Sequence, residues 1–235
     1  MRSVATWLRG GVAAMACLAI WTGAQGAEGL RTAKSGDLQE VGASSEVFHV
    51  SSWAVQGRDA AGRTFAVVDK VAGRLFVFDG EGRLLGTSPV LVGATPGDTS
   101  APDIGKRQIS GIRPEERTTP AGRFEARMGV GPKGEDILWV DYENALALHR
   151  VVTHVPQERR LQRLASNVAS ERRITYGCIN VPEAFYDRVI RPAFALGGVV
   201  YILPEQRRAQ EFFGSHEAAP PQVLRTSATA SPTLH

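Results

Sequence analysis

Apolar residues recur along this chain in short runs bounded by glycine, proline and acidic turns, the pattern of strands rather than of long helices. Residues 64–69 and 74–79 are β-rich and joined by Lys70-Val71-Ala72-Gly73, which predicts a hairpin. Asp79-Gly80-Glu81-Gly82 marks a further turn before a strand near 84–92, so three strands should form an antiparallel meander. Strand signals resume at 123–130, 137–142 and 145–152, and 198–203 reads as the last strand. Helical spacing is rarer. Val47, Val50, Trp53 and Ala54 define a helix over 46–56, and Leu161 and Leu164 share one face of a short helix over 158–165. Pro182 suits the first position of a helix running to about Ala195, with Phe185, Val189, Ile190 and Phe194 as its buried face. The pattern predicts a mainly β, sandwich-like domain with a few short helices, at residues 46–204. Residues 93–118 form a long polar connection of the kind that carries function or lacks order.

The ends change the picture of the whole. Arg2 and Arg9 precede an apolar run over 11–21, and Ala24-Gln25-Gly26-Ala27 offers small residues for cleavage, so 1–27 reads as a secretory signal peptide. Residues 28–45 read as a mobile leader and 205–235 as a disordered tail. The mature chain is then exported to the periplasm or cell envelope and contains no membrane span. Loss of Arg2 and Arg9 lowers the formal net charge from +3 to about +1. With no basic run interleaved with aromatics, nucleic acid is not an expected partner. Of two cysteines, Cys17 lies in the signal run, leaving Cys178 without an intramolecular disulfide partner.

Cys178 is therefore either a reactive thiol or an inert buried one. It follows Gly177, which lets the backbone turn tightly and aim amides at a developing oxyanion. A nucleophilic cysteine needs a base or cation beside it, and His149, ending the strand-like run Leu146-Ala147-Leu148, and His154 are the candidates. A zinc site built from His149, His154 and Cys178 lacks the usual short ligand spacings, and neither metal nor cofactor is expected. Papain-like enzymes place the cysteine before its histidine, whereas here both histidines come first.

Thr175-Tyr176-Gly177-Cys178-Ile179-Asn180 resembles the Ser/Thr-x-Gly-Cys-x-Asn/Arg signature of L,D-transpeptidase (YkuD-type) catalytic domains. Thr119-Pro120-Ala121-Gly122-Arg123-Phe124 is similar to their Thr-Pro-x-Gly-x-Phe segment, residues 70–79 to their early strand pair, and Leu146–His149 to the strand ending in their histidine. The likeness covers residues 62–203. It implies a cysteine acyltransferase acting on peptidoglycan stem tetrapeptides, releasing the terminal D-alanine and forming 3-3 cross-links or exchanging amines. It also implies roles: Cys178 as nucleophile, His149 as base, Gly177 and Cys178 amides as oxyanion donors, and the Arg150 carbonyl as orienter of the imidazole. Thr175, Tyr176 and Asn180 would order the loop or contact substrate. An L,D-carboxypeptidase on the same site and a non-catalytic wall-binding domain are the alternatives, the binder needing no low-pKa thiol.

Two features depart from the family pattern. Arg150 stands where a glycine is common, and the separation between His149 and Cys178 is long. The extra residues, 153–173, carry Arg159, Arg160, Arg163, Arg172 and Arg173, which predicts a solvated charged loop or, failing that, a lid whose arginines meet substrate carboxylates.

Overall fold

The computed structural model describes residues 35–214. The signal segment at 1–27, residues 28–34 of the leader and residues 215–235 of the tail lie outside them. Two helices lead the described chain, α1 (Ser35–Glu40) and α2 (Ser45–Gln56). Three strands follow, β1 (Phe65–Asp69), β2 (Arg74–Phe78) and β3 (Leu84–Pro89), then a short β4 (Val92–Gly93). After a long connection come β5 (Gly122–Val130), β6 (Asp136–Asp141) and β7 (Leu146–Arg150). A second connection carries α3 (Arg160–Ala165) and leads into β8 (Arg173–Thr175) and β9 (Ile179–Val181). The chain closes with α4 (Glu183–Phe185), a π-helical turn (Tyr186–Ile190), α5 (Arg191–Ala193), β10 (Gly198–Ile202) and α6 (Ala209–Phe213).

The architecture is mainly β. Eight strands form one mixed sheet in the order β3-β2-β1-β10-β5-β6-β7-β9, with β4 and β8 as a separate pair. The first three strands are the antiparallel meander that the turn signals predict. Its first turn is closed by the Ala72 amide donating to Asp69 Oδ1 at 2.8 Å, with Gly73 at φ +58°. Two neighbours are parallel instead, β1 with β10 and β7 with β9.

Strand β5 is shared between two halves. Its Gly122–Ala126 portion pairs with β10, and Arg127–Val130 pairs with β6. The halves fold over a common interior in which Val68, Leu75 and Val77 meet Leu138, Leu148, Ile179 and Val181. The helical run after β9 adds Tyr186, Ile190 and Phe194 to that interior. This buried face is rotated from the one the spacing predicts, because Phe185 and Val189 are only partly buried and pack against Gly86 of β3.

The opposite face of the β1–β2–β10 half is covered by helices. Val47, Val50 and Ala54 of α2 pack with Phe65, Phe78 and Tyr201. The Ser44 hydroxyl caps α2 by accepting from the Val47 amide at 3.3 Å. Residues 35–45 and 205–214, the described parts of the expected leader and tail, belong to this layer. Leu38 of α1 is 1% exposed and Phe213 of α6 is 3% exposed. The Ala209 amide donates to Glu46 Oε2 at 2.5 Å, tying α6 to α2. Each segment contributes a few apolar residues, Leu38 with Val41 and Phe213 with Phe212, and the sheet face supplies their apolar partners.

Candidate active site

The parallel pairing of β7 and β9 removes the long sequence separation between histidine and cysteine. Leu148 lies opposite Ile179, His149 opposite Asn180 and Arg150 opposite Val181, which puts Cys178 in the loop just before β9. Leu146, Ala147 and Leu148 anchor β7 in the core, while His149 emerges half-buried at its end. On its other side β9 bonds to Leu91, with the Asn180 amide and carbonyl each paired at 2.9 Å. Asn180 is fully buried.

The loop Tyr176–Cys178 is locked by two threonines. Thr119, buried, donates its hydroxyl to the Gly177 carbonyl at 2.6 Å and accepts from the Gly93 amide at 2.8 Å. Thr175 donates to the Cys178 carbonyl at 2.6 Å and accepts from the Gly177 amide at 3.2 Å. Gly177 has φ +132°, and a Cβ there would sit 3.0 Å from the Thr118 carbonyl oxygen, so both conformation and space require glycine. The Gly177 amide is thus committed to Thr175. Among the described residues the Cys178 amide has no acceptor, and it lies beside its own sulfur. Of the two amides at this turn, that of Gly177 is held by Thr175 and that of Cys178 is the one left to face the pit.

Cys178 is half-buried, and its Sγ lies 3.5 Å from the Ala145 carbonyl oxygen. Burial pushes the thiol pKa up, opposed by the Ala147 amide and the Arg160 charge, which both favour thiolate. His149 Nδ1 is 2.8 Å from the Arg150 carbonyl oxygen, and Nε2 is 3.1 Å from Asn180 Nδ2. Burial also pushes the imidazole pKa down. The resting pair is a neutral thiol and a neutral imidazole, each with its hydrogen bonds elsewhere.

A pit of about 30 Å³ lies at this turn, lined by Tyr176, Gly177 and Cys178 with Ser100, Glu116 and Asn144 among its walls. It shares Ser100, Pro120 and Asn144 with a wider open depression of about 330 Å³. Tyr176 lies under the Arg117 guanidinium, 4.1 Å from ring centroid to charge. The Arg150 side chain turns away from the pit to Asp136 and Asp187, at 2.7 and 2.5 Å, so only its carbonyl serves the site. His154 is exposed in the connection after β7 and makes no hydrogen bond among the described residues. No group of three or more His, Cys, Asp or Glu side chains converges to hold a metal among the described residues.

Glu116 and Lys70 carry no signal in the sequence, and Arg160 is legible there only as one of the arginines of a charged loop or lid. Glu116 lines the pit as a carboxylate held at a pKa of about 2 by the guanidinium of Arg113, then of Arg107. Lys70 is buried beneath the pit wall and donates to the Gly97 and Thr119 carbonyls at 2.5 and 2.9 Å and to Asp98 at 3.0 Å. Arg160 donates to Asn180 Oδ1 at 2.7 Å. The segment 153–173 is exposed along much of its length, as a solvated loop would be, but four of its five arginines are partly buried and bond within the fold. Arg163 donates to the Glu158 and Glu171 carbonyls, and Arg172 to the Ala72, Gly73 and Ser166 carbonyls. Arg173 pairs with Glu205. Arg159 alone of the five stays exposed, with φ +49°.

No family model and no curated protein matches the chain. Among solved structures it is similar to one described as LD transpeptidase LdtMt1 in complex with imipenem, at 15% identity and a TM-score of 0.31. That match covers 60% of this chain and 58% of the other, so the chain spans little more than half the length of the structure it matches. Among the described residues no helix is long and apolar enough to cross a membrane.

Proposed function

We propose that the chain is an exported peptidoglycan L,D-transpeptidase, with Cys178 as nucleophile and His149 as general base. One observation carries the reading: Tyr176, Gly177 and Cys178 of the signature line a pit, and the β7–β9 register sets His149 opposite Asn180 of the same stretch. Its Nδ1 faces a carbonyl oxygen, which only accepts, so Nδ1 carries the proton and Nε2 is the basic atom.

In the proposed cycle the thiol attacks the carbonyl carbon of the third stem residue, and its proton passes to Nε2 as the S–C bond forms. The Cys178 amide stabilises the oxyanion. Collapse breaks the C–N bond, and the imidazolium returns the proton to the leaving D-alanine amine, leaving a thioester. An acceptor amine then attacks, loses its proton to Nε2, and expels the thiol. Because burial raises the thiol pKa and lowers that of the imidazole, proton removal accompanies attack instead of preceding it. Nε2 exchanges the Asn180 amide for the thiol proton in that step. Thr175 and Asn180 are loop-ordering residues in this scheme, and Tyr176 forms the substrate-facing wall.

The test is incubation with disaccharide tetrapeptide followed by mass spectrometry. A thioester adduct on Cys178 and free D-alanine are expected, and Cys178→Ala should lower the rate by about a thousandfold or more. A wild-type protein that binds the fragment with neither adduct nor D-alanine would instead be a wall-binding domain of this fold. The observation behind that second reading is that the thiol bonds the Ala145 carbonyl and not the imidazole.

A further inference from the structure

We infer that Arg160, supplied by the segment between β7 and β8, is a positioning residue of the cysteine–histidine site, acting through the Asn180 amide to fix which nitrogen of His149 carries the proton. Its catalytic consequence rests on the acyl-transfer reading above; its effect on the imidazole does not.

The argument is one of hydrogen-bond direction. A guanidinium only donates, so the Asn180 atom 2.7 Å from Arg160 Nη1 must be the acceptor Oδ1. With Oδ1 committed, the other arm of the amide facing His149 is the NH₂ group, and it donates to Nε2 at 3.1 Å. At the far edge of the ring the Arg150 carbonyl accepts from Nδ1 at 2.8 Å. Every bond from Arg160 to Arg150 then runs donor to acceptor in one direction, an arrangement in which each bond polarises the next. Reversing the amide would put Oδ1 against Nε2 and demand a proton there, giving the wrong tautomer or an imidazolium.

Both ends of the relay are built to hold. Asn180 is fully buried, with its backbone amide and carbonyl both paired with Leu91. Arg160 opens helix α3, its side chain is 12% exposed, and its Nε donates to Glu158 at 2.5 Å. That clamp aims the guanidinium without neutralising its reach to Asn180. The Arg160 charge also acts at a distance: it lowers the pKa of both His149 and Cys178. The other influences on the imidazole are burial, the Arg150 carbonyl and the more distant Glu135 charge. The long crossover therefore has a use that a short one lacks, since it brings a cation behind the amide.

The test reads the histidine rather than the turnover. In ¹⁵N-labelled wild-type protein the long-range ¹H–¹⁵N spectrum of His149 should show a protonated Nδ1 and a bare Nε2 across neutral pH. A protonated Nε2 in the wild type would overturn the assignment without any variant. Arg160→Met removes the donor while keeping the stem, and should mix the tautomers, raise the histidine midpoint and move the alkylation profile of Cys178 to higher pH. In an Asn180→Ala background the same change should leave the tautomer ratio unaltered, because the effect travels through the amide. An unaltered tautomer in Arg160→Met, or an equal tautomer change with Asn180 absent, defeats the proposal. If the tautomer responds as stated but wild-type protein releases no D-alanine, the relay stands and the transpeptidase reading falls. If D-alanine is released and Arg160→Met slows it with the tautomer unchanged, the reverse holds.

Discussion

Two long connections flank the site, 94–121 before β5 and 151–172 before β8, and they solve the same problem by different electrostatics. Each must hold irregular backbone against the sheet, and each has carbonyls that need donors. The first is pinned from inside by one lysine. Lys70 Nζ, with its side chain 1% exposed, reaches Gly97, Asp98 and Thr119, while Asp98 accepts from the Glu205 and Gln206 amides at 2.8 and 3.0 Å. The second is stitched from outside by half-exposed arginines, each forking onto several carbonyls. A desolvated centre concentrates its energy in one residue, whereas a set of partly hydrated forks spreads it. The first connection should fail at a single point and the second should not.

The largest effect is expected at that point. Lys70→Met leaves Asp98 buried without its cation and should cost about 3–5 kcal/mol in urea unfolding, with new proteolytic cuts between 94 and 121. A cost under about 1 kcal/mol would end the distinction between the two connections. Acid should come next, acting on the same connection. Asp98 and Glu116 both have folded pKa values below the unfolded one, Asp98 through the amides of Glu205 and Gln206 against the opposing effect of burial, and Glu116 through Arg113. The contribution of Glu116 is present above its ordinary value of 4.5 and is lost as pH falls toward about 2, while that of Asp98 is present above its ordinary value of 3.8 and is lost as pH falls below it. Thermal melts over that window should show stability declining, with access of an alkylating reagent to Cys178 rising first. Smallest is Arg163→Gln, which removes forks to the Glu158 and Glu171 carbonyls and should cost about 1 kcal/mol. A loss as large as that for Lys70→Met would show the second connection to be centred too.

The same contrast separates what the sequence makes legible from what it hides. The meander, helix α2 and the strand ending at His149 are local patterns, and they form where periodicity and turn residues put them. The glycine at 177 is legible for a local reason as well, a backbone angle that other residues avoid. Lys70 is not, because its acceptors lie 28 and 49 positions away and nothing near it marks a lysine for burial. Arg160 is hidden likewise: a run of arginines reads as solvent-facing until the carbonyls they meet are known. Helix α6 is too short for any period, and its place is decided by the apolar face it finds on α2 and β10. Parallel neighbours are the hardest case, since neither β7 nor β9 carries a mark of the other.

That first parallel pair, β1 with β10, sets the order in which the molecule can come together. Phe65 lies beside Val199 and Val68 beside Ile202, so the central strand of one half waits for residues made much later. Loop closure over such a span is slow, and little rewards it until it is complete. During synthesis the meander emerges with one side of β1 open, an unpaired edge that cannot be filled locally. The cysteine turn depends on Thr118 and Thr119, whose own connection is pinned to Lys70 at the end of β1. A nascent chain therefore has Cys178 before it has the setting that holds the cysteine turn, and that setting is complete only once β10 has been made.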